Sequence, residues 1–505
     1  VTNFNGGVTA TAPSSVTMQG TIRDQSGTGT ITLGDSDTGL ILIGNSTVGG
    51  TSTGNITLGA VTGSSHTLNL GVDGTSNTIS VGGIVSLGTL NISTNSTATF
   101  TAAVGSSSAL TNLNIKSGST FNENVTSTNI TINNAITGTF KKAITATAIV
   151  LDGGKLLLSE DNSVTIAGTI NGNNTTEGTI QVTGATKTFS GIVGGSQVLT
   201  LVDIDDIAVF SANVSATTAN LAATTTFAGD TTLTTLTVQS ASYNVIFNGS
   251  SNTITNAANF QNTGTVTFGN ASGDSSLFNG GLTTTAPSQI NIGGTLETSN
   301  DAMSLGDSDT AIVLVANTTL NTGSAALTLN ATVNGGYTLT LNSTDATTFA
   351  GVVGGSTALT GINTNASGTV VFNTTAIETN GDQLYRENAT IGGDITFTTG
   401  DNDLTFSGTV NSVSSTKTLD IVAGSGDVTF SGTVGGSEAL GNTTIGTAIL
   451  TGAAIKVQGT LAITNSGTSS ITGIISDGDT AAILTKAGAG TLTLSGDNTY
   501  TGATT

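Results

Sequence analysis

The sequence predicts an all-β chain that coils on itself as a parallel β-solenoid, and three observations carry that expectation. One is a recurring stretch: F-S-G-T-V-G-G-S-E-A-L at 430–440 returns as F-A-G-V-V-G-G-S-T-A-L at 349–359 and as F-S-G-I-V-G-G-S-Q-V-L at 189–199, with looser copies at 100–110 and 268–277. The phenylalanines that open the copies stand 89, 79, 81 and 81 residues apart, and a near-constant step of about 80 under drifting sequence marks a repeat architecture. The second is composition. Charged residues make up 8 % of the chain and hydrophobic ones 36 %, the reverse of what disorder requires, while abundant Thr and Val favour strand over helix. The third is alternation, as in Thr265-Val266-Thr267-Phe268 and Tyr337-Thr338-Leu339-Thr340-Leu341, which sends one side of each segment into a core and the other into water.

Each copy of the recurring stretch reads the same way. A strand ends on an inward Phe, glycines turn a corner, and a small-residue run leads to a buried Leu (Leu110, Leu199, Leu277, Leu359 and Leu440). A smaller unit, Asp-x-Thr-Phe, recurs at 394–397, 403–406 and 427–430. Between strands sit Gly, Asn, Asp and Ser, which tolerate positive φ or bond their own backbone; Asn363 is expected in such a turn. No window holds helical periodicity, so parallel strands must be joined by corners rather than crossover helices. All sixteen phenylalanines are expected in the core. With about 22 residues to a coil, a unit of about 80 residues makes three or four coils spaced by the strand-to-strand distance of about 4.8 Å.

A longer duplication lies over the short one. F-N-G-G-V-T-A-T-A-P-S at 4–14 matches F-N-G-G-L-T-T-T-A-P-S at 278–288, and both prolines of the chain, Pro13 and Pro287, fall at the same place in it. Downstream, L-G-D-S-D-T occurs at 33–38 and at 305–310. The chain is therefore expected to be one continuous solenoid over 1–505, with a first internal copy at 1–277 and a second at 278–505. His66, the only histidine, aligns with Tyr337 just before a T-L-x-L strand. A position that accepts either ring is surface packing rather than a base or a ligand.

At 484–505 the run L-T-K-A-G-A-G-T-L-T-L-S-G-D-N-T-Y-T-G-A-T-T resembles the autotransporter-associated β-strand repeat, a Lys-x-Gly-x-Gly-Thr-Leu-x-Leu-x-Gly-x-Asn-x-Tyr-x-Gly pattern that is filled at every position. The stretch G-D-Q-L-Y-R-E-N-A-T-I-G-G-D-I-T-F at 381–397 is similar to repeats of filamentous-haemagglutinin-like secreted proteins, and the V-G-G segments resemble those of rickettsial surface autotransporters. These resemblances imply a right-handed parallel β-helix that is exported and displayed on, or shed from, a bacterial surface.

Chemistry-bearing motifs are scarce. With one histidine and no cysteine, the usual nucleophilic triads and zinc clusters have no residues to draw on. No phosphate-binding G-x-x-x-x-G-K-[ST] loop occurs, and a formal charge of −21 with only Arg23, Arg386 and eight lysines repels nucleic acid. The Asp-x-Asp pairs Asp35/Asp37, Asp307/Asp309 and Asp477/Asp479 could lend oxygens to calcium, but Asp at a corner ordinarily accepts neighbouring backbone N–H groups, and that is the expectation here. Sequons such as Asn129-Ile130-Thr131 follow from the Asn- and Thr-rich strands. Catalytic, cofactor-binding and metal-ligating residues are all expected to be none.

The expected function follows: a non-enzymatic, structural segment of a large secreted surface adhesin or fibre, acting as a stiff stalk, or else the subunit of a self-assembling extracellular filament. A polysaccharide-acting enzyme would need clustered acids and bases, which two arginines scarcely supply. The longest apolar run, 311–316, is far short of the ~18 residues of a membrane span. Expected partners are neighbouring β-helical segments or identical subunits, end to end, and host or environmental surfaces. Neither end carries a recognisable cap: residues 1–8 already hold the F-N-G-G pattern, and 484–505 is a full repeat.

Overall fold

The computed structural model describes all residues except 26, 51, 72–76, 161 and 415. It contains no helix among them, and the strands, mostly of three to six residues, stack in parallel with their neighbours one turn away. The chain divides into two compact units, Val1–Gln239 and Ser240–Thr505, and each is a β-solenoid. Among the described residues no helix is long and apolar enough to cross a membrane.

In the first unit, Leu68, Leu90, Leu113, Ile130, Ile149 and Ile170 hold one register position in successive turns, and each is at most 1 % exposed. Alternation explains the column: every second side chain of a strand points inward, and burying a Leu or Ile contributes about 1.5–3 kcal/mol. Fifteen phenylalanines are buried. The sixteenth, Phe4, is only half-buried.

The repeat of this architecture is the turn, not the step of about 80 residues. Phe100 stands in register with Phe121, Phe140, Leu158 and Val182, four turns on. The next copy opens at Phe189, which is in register with Ile166 and Phe210 on another face. In the second unit, Phe349 lies in column with Leu329 and Phe372, but Phe430 lies with Phe406 and Tyr385. The recurring stretch thus reuses one kind of corner on different faces of the coil.

Two further expectations, at Leu277 and Asn363, are corrected. Leu277 of the degenerate fifth copy is half-buried, and Phe278 takes the inward place, because the shortened copy shifts the alternation by one residue and so exchanges the two faces. Asn363 lies in the strand Gly361–Thr364, facing outward beside buried Ile362 and Thr364; Asn is tolerated there because the outer face is solvated.

The stretches at 4–14 and 278–288 fold alike. Val8–Ala10 answers Leu282–Thr284, and Ser15–Asp24 answers Gln289–Thr298. Both long strands carry a register shift, between Met18 and Gly20 and between Ile292 and Gly294. Thr38 Oγ1 donates to the Pro13 carbonyl at 2.6 Å, and Thr310 Oγ1 to the Pro287 carbonyl at 2.9 Å.

Candidate functional site

Asp35 Oδ1 accepts the N–H groups of Asp37 and Thr38 at 3.0 and 2.9 Å. Asp307 Oδ1 accepts those of Asp309 and Thr310 at 3.0 and 3.1 Å, and lies 2.9 Å from the Thr310 hydroxyl oxygen. These backbone bonds hold both carboxyls below the usual carboxylate range, and both turns are the self-bonded kind. Asp477 is not. Its carboxylate accepts Ala482 N–H at 2.7 Å and reaches Thr501, accepting that residue's N–H at 3.1 Å and its hydroxyl at 2.8 Å. Asp477 therefore ties one turn to the next, while Asp479 N–H donates to Gln458 Oε1 at 3.3 Å. Among the described residues, no group of three or more His, Cys, Asp or Glu side chains converges on a metal position.

His66 is half-buried at a corner, its N–H donating to the Gly63 carbonyl at 2.7 Å and its own carbonyl accepting Gly88 N–H at 3.1 Å. Tyr337, its counterpart, is 40 % exposed. Asn129 belongs to a surface ladder and donates from Nδ2 to Asn112 Oδ1 at 3.2 Å. Beside it runs a second ladder, in which Asn114 donates to Asn91 and Asn91 to Asn69, each at 2.7 Å.

The corner of the recurring stretch is V-G-G in three copies and V-G-S in the copy at 100–110. Val104, Val193, Val353 and Val434 each bridge the turn before and the turn after. The glycine that follows has φ of +77, +72, +80 and +72° in the four copies, a region costly to any residue with a Cβ. There is no room for one either: a Cβ at Gly194 would lie 1.9 Å from the Ser215 carbonyl oxygen, and at Gly435 2.1 Å from that of Lys456. One element of this corner lies beyond the motif itself. Asn171, Asn334 and Asn411, one turn earlier, each accept through Oδ1 the N–H of the corner serine, Ser196, Ser356 or Ser437, at 2.9 Å. The signal was present as T-I-N-G at 169–172, T-V-N-G at 332–335 and T-V-N-S at 409–412, whose asparagines stand 22, 19 and 23 residues ahead of the V-G-G valines.

At 484–505 the signature residues are consumed in stacking. The strand Thr491–Leu494 pairs in register with Thr468–Ile471. A Cβ at Gly490, Gly496 or Gly502 would come within 2.1, 2.2 or 2.3 Å of a carbonyl oxygen of the turn before. Asn498 Oδ1 accepts the N–H of Ile475 at 2.8 Å, and Lys486 Nζ donates to the Ala487 carbonyl at 2.6 Å. Tyr500 Oη and Thr504 Oγ1 are 2.7 Å apart. The Gly-x-Gly…Gly-x-Asn spacing is thus a recipe for laying one flat turn on another. Leu492 and Leu494 are half-buried, whereas Leu68 and Leu70 of the similar T-L-N-L strand are at most 1 % exposed.

Residues 484–505 match the family model of the passenger-associated-transport-repeat, a small part of the 505-residue chain. No curated protein and no solved structure matches the chain, so the likenesses of the V-G-G segments and of 381–397 rest on those residues alone. The matched repeat fits autotransporter passenger domains and so suggests a secreted or cell-surface protein; together with the stacked parallel turns it makes the chain consistent with such a passenger.

Proposed function

We propose that this chain is a non-enzymatic β-solenoid segment of a bacterial surface passenger, serving as the stalk of an adhesin or fibre outside the cell. The observation that carries the reading is the turn at 484–505, where a matched passenger repeat spends its conserved-pattern glycines and Asn498 on stacking against the turn before. The recurring side chains elsewhere have structural work: phenylalanines fill the core, V-G-G makes corners, and Asn and Asp staple turns. Partners on this reading are further β-helical turns, from a longer chain or from identical subunits, laid over Leu492 and Leu494. Fusing residues 1–505 between a secretion signal and an outer-membrane barrel tests it. The chain should reach the cell surface and be cleaved by external protease on intact cells; retention in the periplasm in folded form contradicts it. Release of reducing sugar from polysaccharide by the purified chain would contradict the non-enzymatic part.

A further inference from the structure

The strands Thr338–Ser343, Gly361–Thr364 and Gln383–Tyr385 stack in register. Thr338, Gly361 and Asp382 follow one another outward along the stack, with Thr340, Asn363 and Leu384 beside them. Gly361 has no side chain, so the first column is interrupted there. The gap opens a cavity of about 290 Å³ over Gly361 whose walls include Thr338, Thr360, Asn363, Asp382, Leu384 and Arg386. That volume is at the small end for ligand pockets, which run from roughly 300 Å³ upward. It admits a single small ring.

The polar groups around the gap are of complementary kinds and are fixed in advance. Arg386, one of only two arginines, donates from Nη1 to Asn363 Oδ1 and to the Thr364 carbonyl, the latter at 2.8 Å. Its backbone N–H donates to Thr364 Oγ1 at 3.1 Å, and that hydroxyl donates to the buried Glu387 carboxylate. The guanidinium is held before any ligand arrives, which lowers the ordering cost of binding. Its planar fork has five donors, so others are left to offer. Asp382 is exposed and accepts Asp403 N–H at 3.1 Å through Oδ1; a carboxylate has about four acceptor positions, leaving capacity for a ligand. Thr338 and Thr360 place their hydroxyl oxygens 3.1 Å apart. Tyr337, next in the chain to the wall residue Thr338, is 40 % exposed, and its carbonyl accepts Thr360 N–H at 3.1 Å.

A donor fork and a carboxylate acceptor in the walls of one small dip, with an exposed aromatic one residue from the wall at Thr338, match a ring with adjacent hydroxyls on one side and C–H groups on the other. Each hydroxyl can accept from Arg386 while donating to Asp382, and the C–H face can lie against Tyr337. A carboxylated ring would meet the like charge of Asp382, with Asp403 one turn on in the same column. We propose that this dip binds one neutral pyranose unit of a glycan. The site stands on its own geometry and holds whether or not the chain is a surface passenger.

Saturation-transfer NMR on the whole chain, with the methyl glycosides of glucose, galactose, mannose and N-acetylglucosamine as probes, tests this. At least one should receive saturation with a Kd on the order of 1 mM. Gly361→Thr fills the gap with a strand-favouring residue and should weaken that binding more than about tenfold, equivalent to about 1.4 kcal/mol. Asp382→Asn and Tyr337→Ala, both exposed and compatible with the fold, should each weaken it several-fold with an unchanged melt. If Gly361→Thr does not fold, these two decide. No transfer to any neutral glycoside, or binding untouched by the folded variants, overturns the proposal. Tighter binding of methyl glucuronide than of its neutral counterpart overturns the ligand class.

Discussion

Aromatic rings cohere in two different ways in the two units. In Val1–Gln239, Phe100, Phe121 and Phe140 lie face to face at 4.8 and 4.7 Å, and Phe189, Phe210 and Phe227 at 4.7 and 5.3 Å. The first three spacings are the strand-to-strand distance itself, because each set occupies one register position. In Ser240–Thr505, Phe372 meets Tyr385 and Phe397 edge-on, both at 5.0 Å, and Phe397 meets Phe406 at 5.5 Å and 86°. Here the rings come from different columns: Phe372 stacks with Phe349, Tyr385 with Phe406, and Phe397 pairs with Ile377 and Ile421. A ladder binds each turn only to its neighbours above and below. A knot of edge-on rings also locks one face of a turn to another.

The largest expected effect breaks that knot. Phe372→Ala should cost about 4–5 kcal/mol and Phe121→Ala about 3–4, within the range for buried Phe→Ala, since Phe372 has ring contacts with Phe349, Tyr385, Phe397 and Phe406 whereas Phe121 has two. Urea melts of the two variants measure it, and equal losses would erase the distinction. Next come the corners, alike in both units. Gly354 has φ of +80°, and a Cβ there would lie 2.2 Å from the Glu378 carbonyl oxygen; at Gly355 it would meet only Val352 Cγ1 at 2.9 Å. Gly354→Ala should cost more than about 2 kcal/mol, of which left-handed backbone alone supplies about 1–2, and Gly355→Ala less than about 1. Asn411→Ala removes the bond to Ser437 N–H and should cost about 0.5–1.5 kcal/mol, detectable as a small fall in the urea midpoint.

Much of this was legible because period-two alternation states which side chain faces in. Phe100, Phe189, Phe349 and Phe430 end strands on the core side, as their T-x-T-F and similar contexts imply. What alternation could not say is how the turns are in register, since corners vary in length. Whether Phe372 would ladder or knot therefore could not be read. Lys187 and Glu387 are two of the charged residues that obey the alternation against their chemistry. Lys187, two residues before Phe189, is fully buried, and its ammonium nitrogen lies 2.7, 3.2, 2.5 and 3.1 Å from the carbonyl oxygens of Glu160, Asn162, Gly184 and Ala185, which share its three N–H donors. Glu387, two after Tyr385, is 3 % exposed and bonded by Thr364. Only the corner geometry reveals the carbonyl cage around the lysine. The dip at Gly361 was illegible for a similar reason: Thr338, Asn363, Asp382 and Arg386 meet only once three turns are aligned.

The smallest expected effect distinguishes acids at the corners from the acid beneath the knot. Burial raises the Glu387 carboxyl above its ordinary value, so the folded state holds that proton more tightly than the unfolded chain does. Its contribution is full below the unfolded value and is lost as pH rises through the folded one. Asp35, Asp307 and Asp477, lowered chiefly by backbone hydrogen bonds, run the other way and lose theirs as pH falls. Glu387→Gln should flatten the decline in stability on raising the pH from below the ordinary glutamate value, leaving the loss at strongly acid pH unchanged. An unaltered pH profile would show that burial does not disfavour the charged form.

The in-register stacking of parallel turns is tested most directly by cross-linking, which the absence of cysteine makes clean. Thr99 and Thr120 are register partners on adjacent turns, and Thr139 is the next in the column. Cα atoms one strand apart, about 4.8 Å, lie within disulfide reach of roughly 4.4–6.8 Å, and those two strands apart do not. The double variant Thr99→Cys/Thr120→Cys should oxidise to an intramolecular disulfide in the folded chain, while Thr99→Cys/Thr139→Cys should stay reduced. Cross-linking of the second pair and not the first would contradict the solenoid.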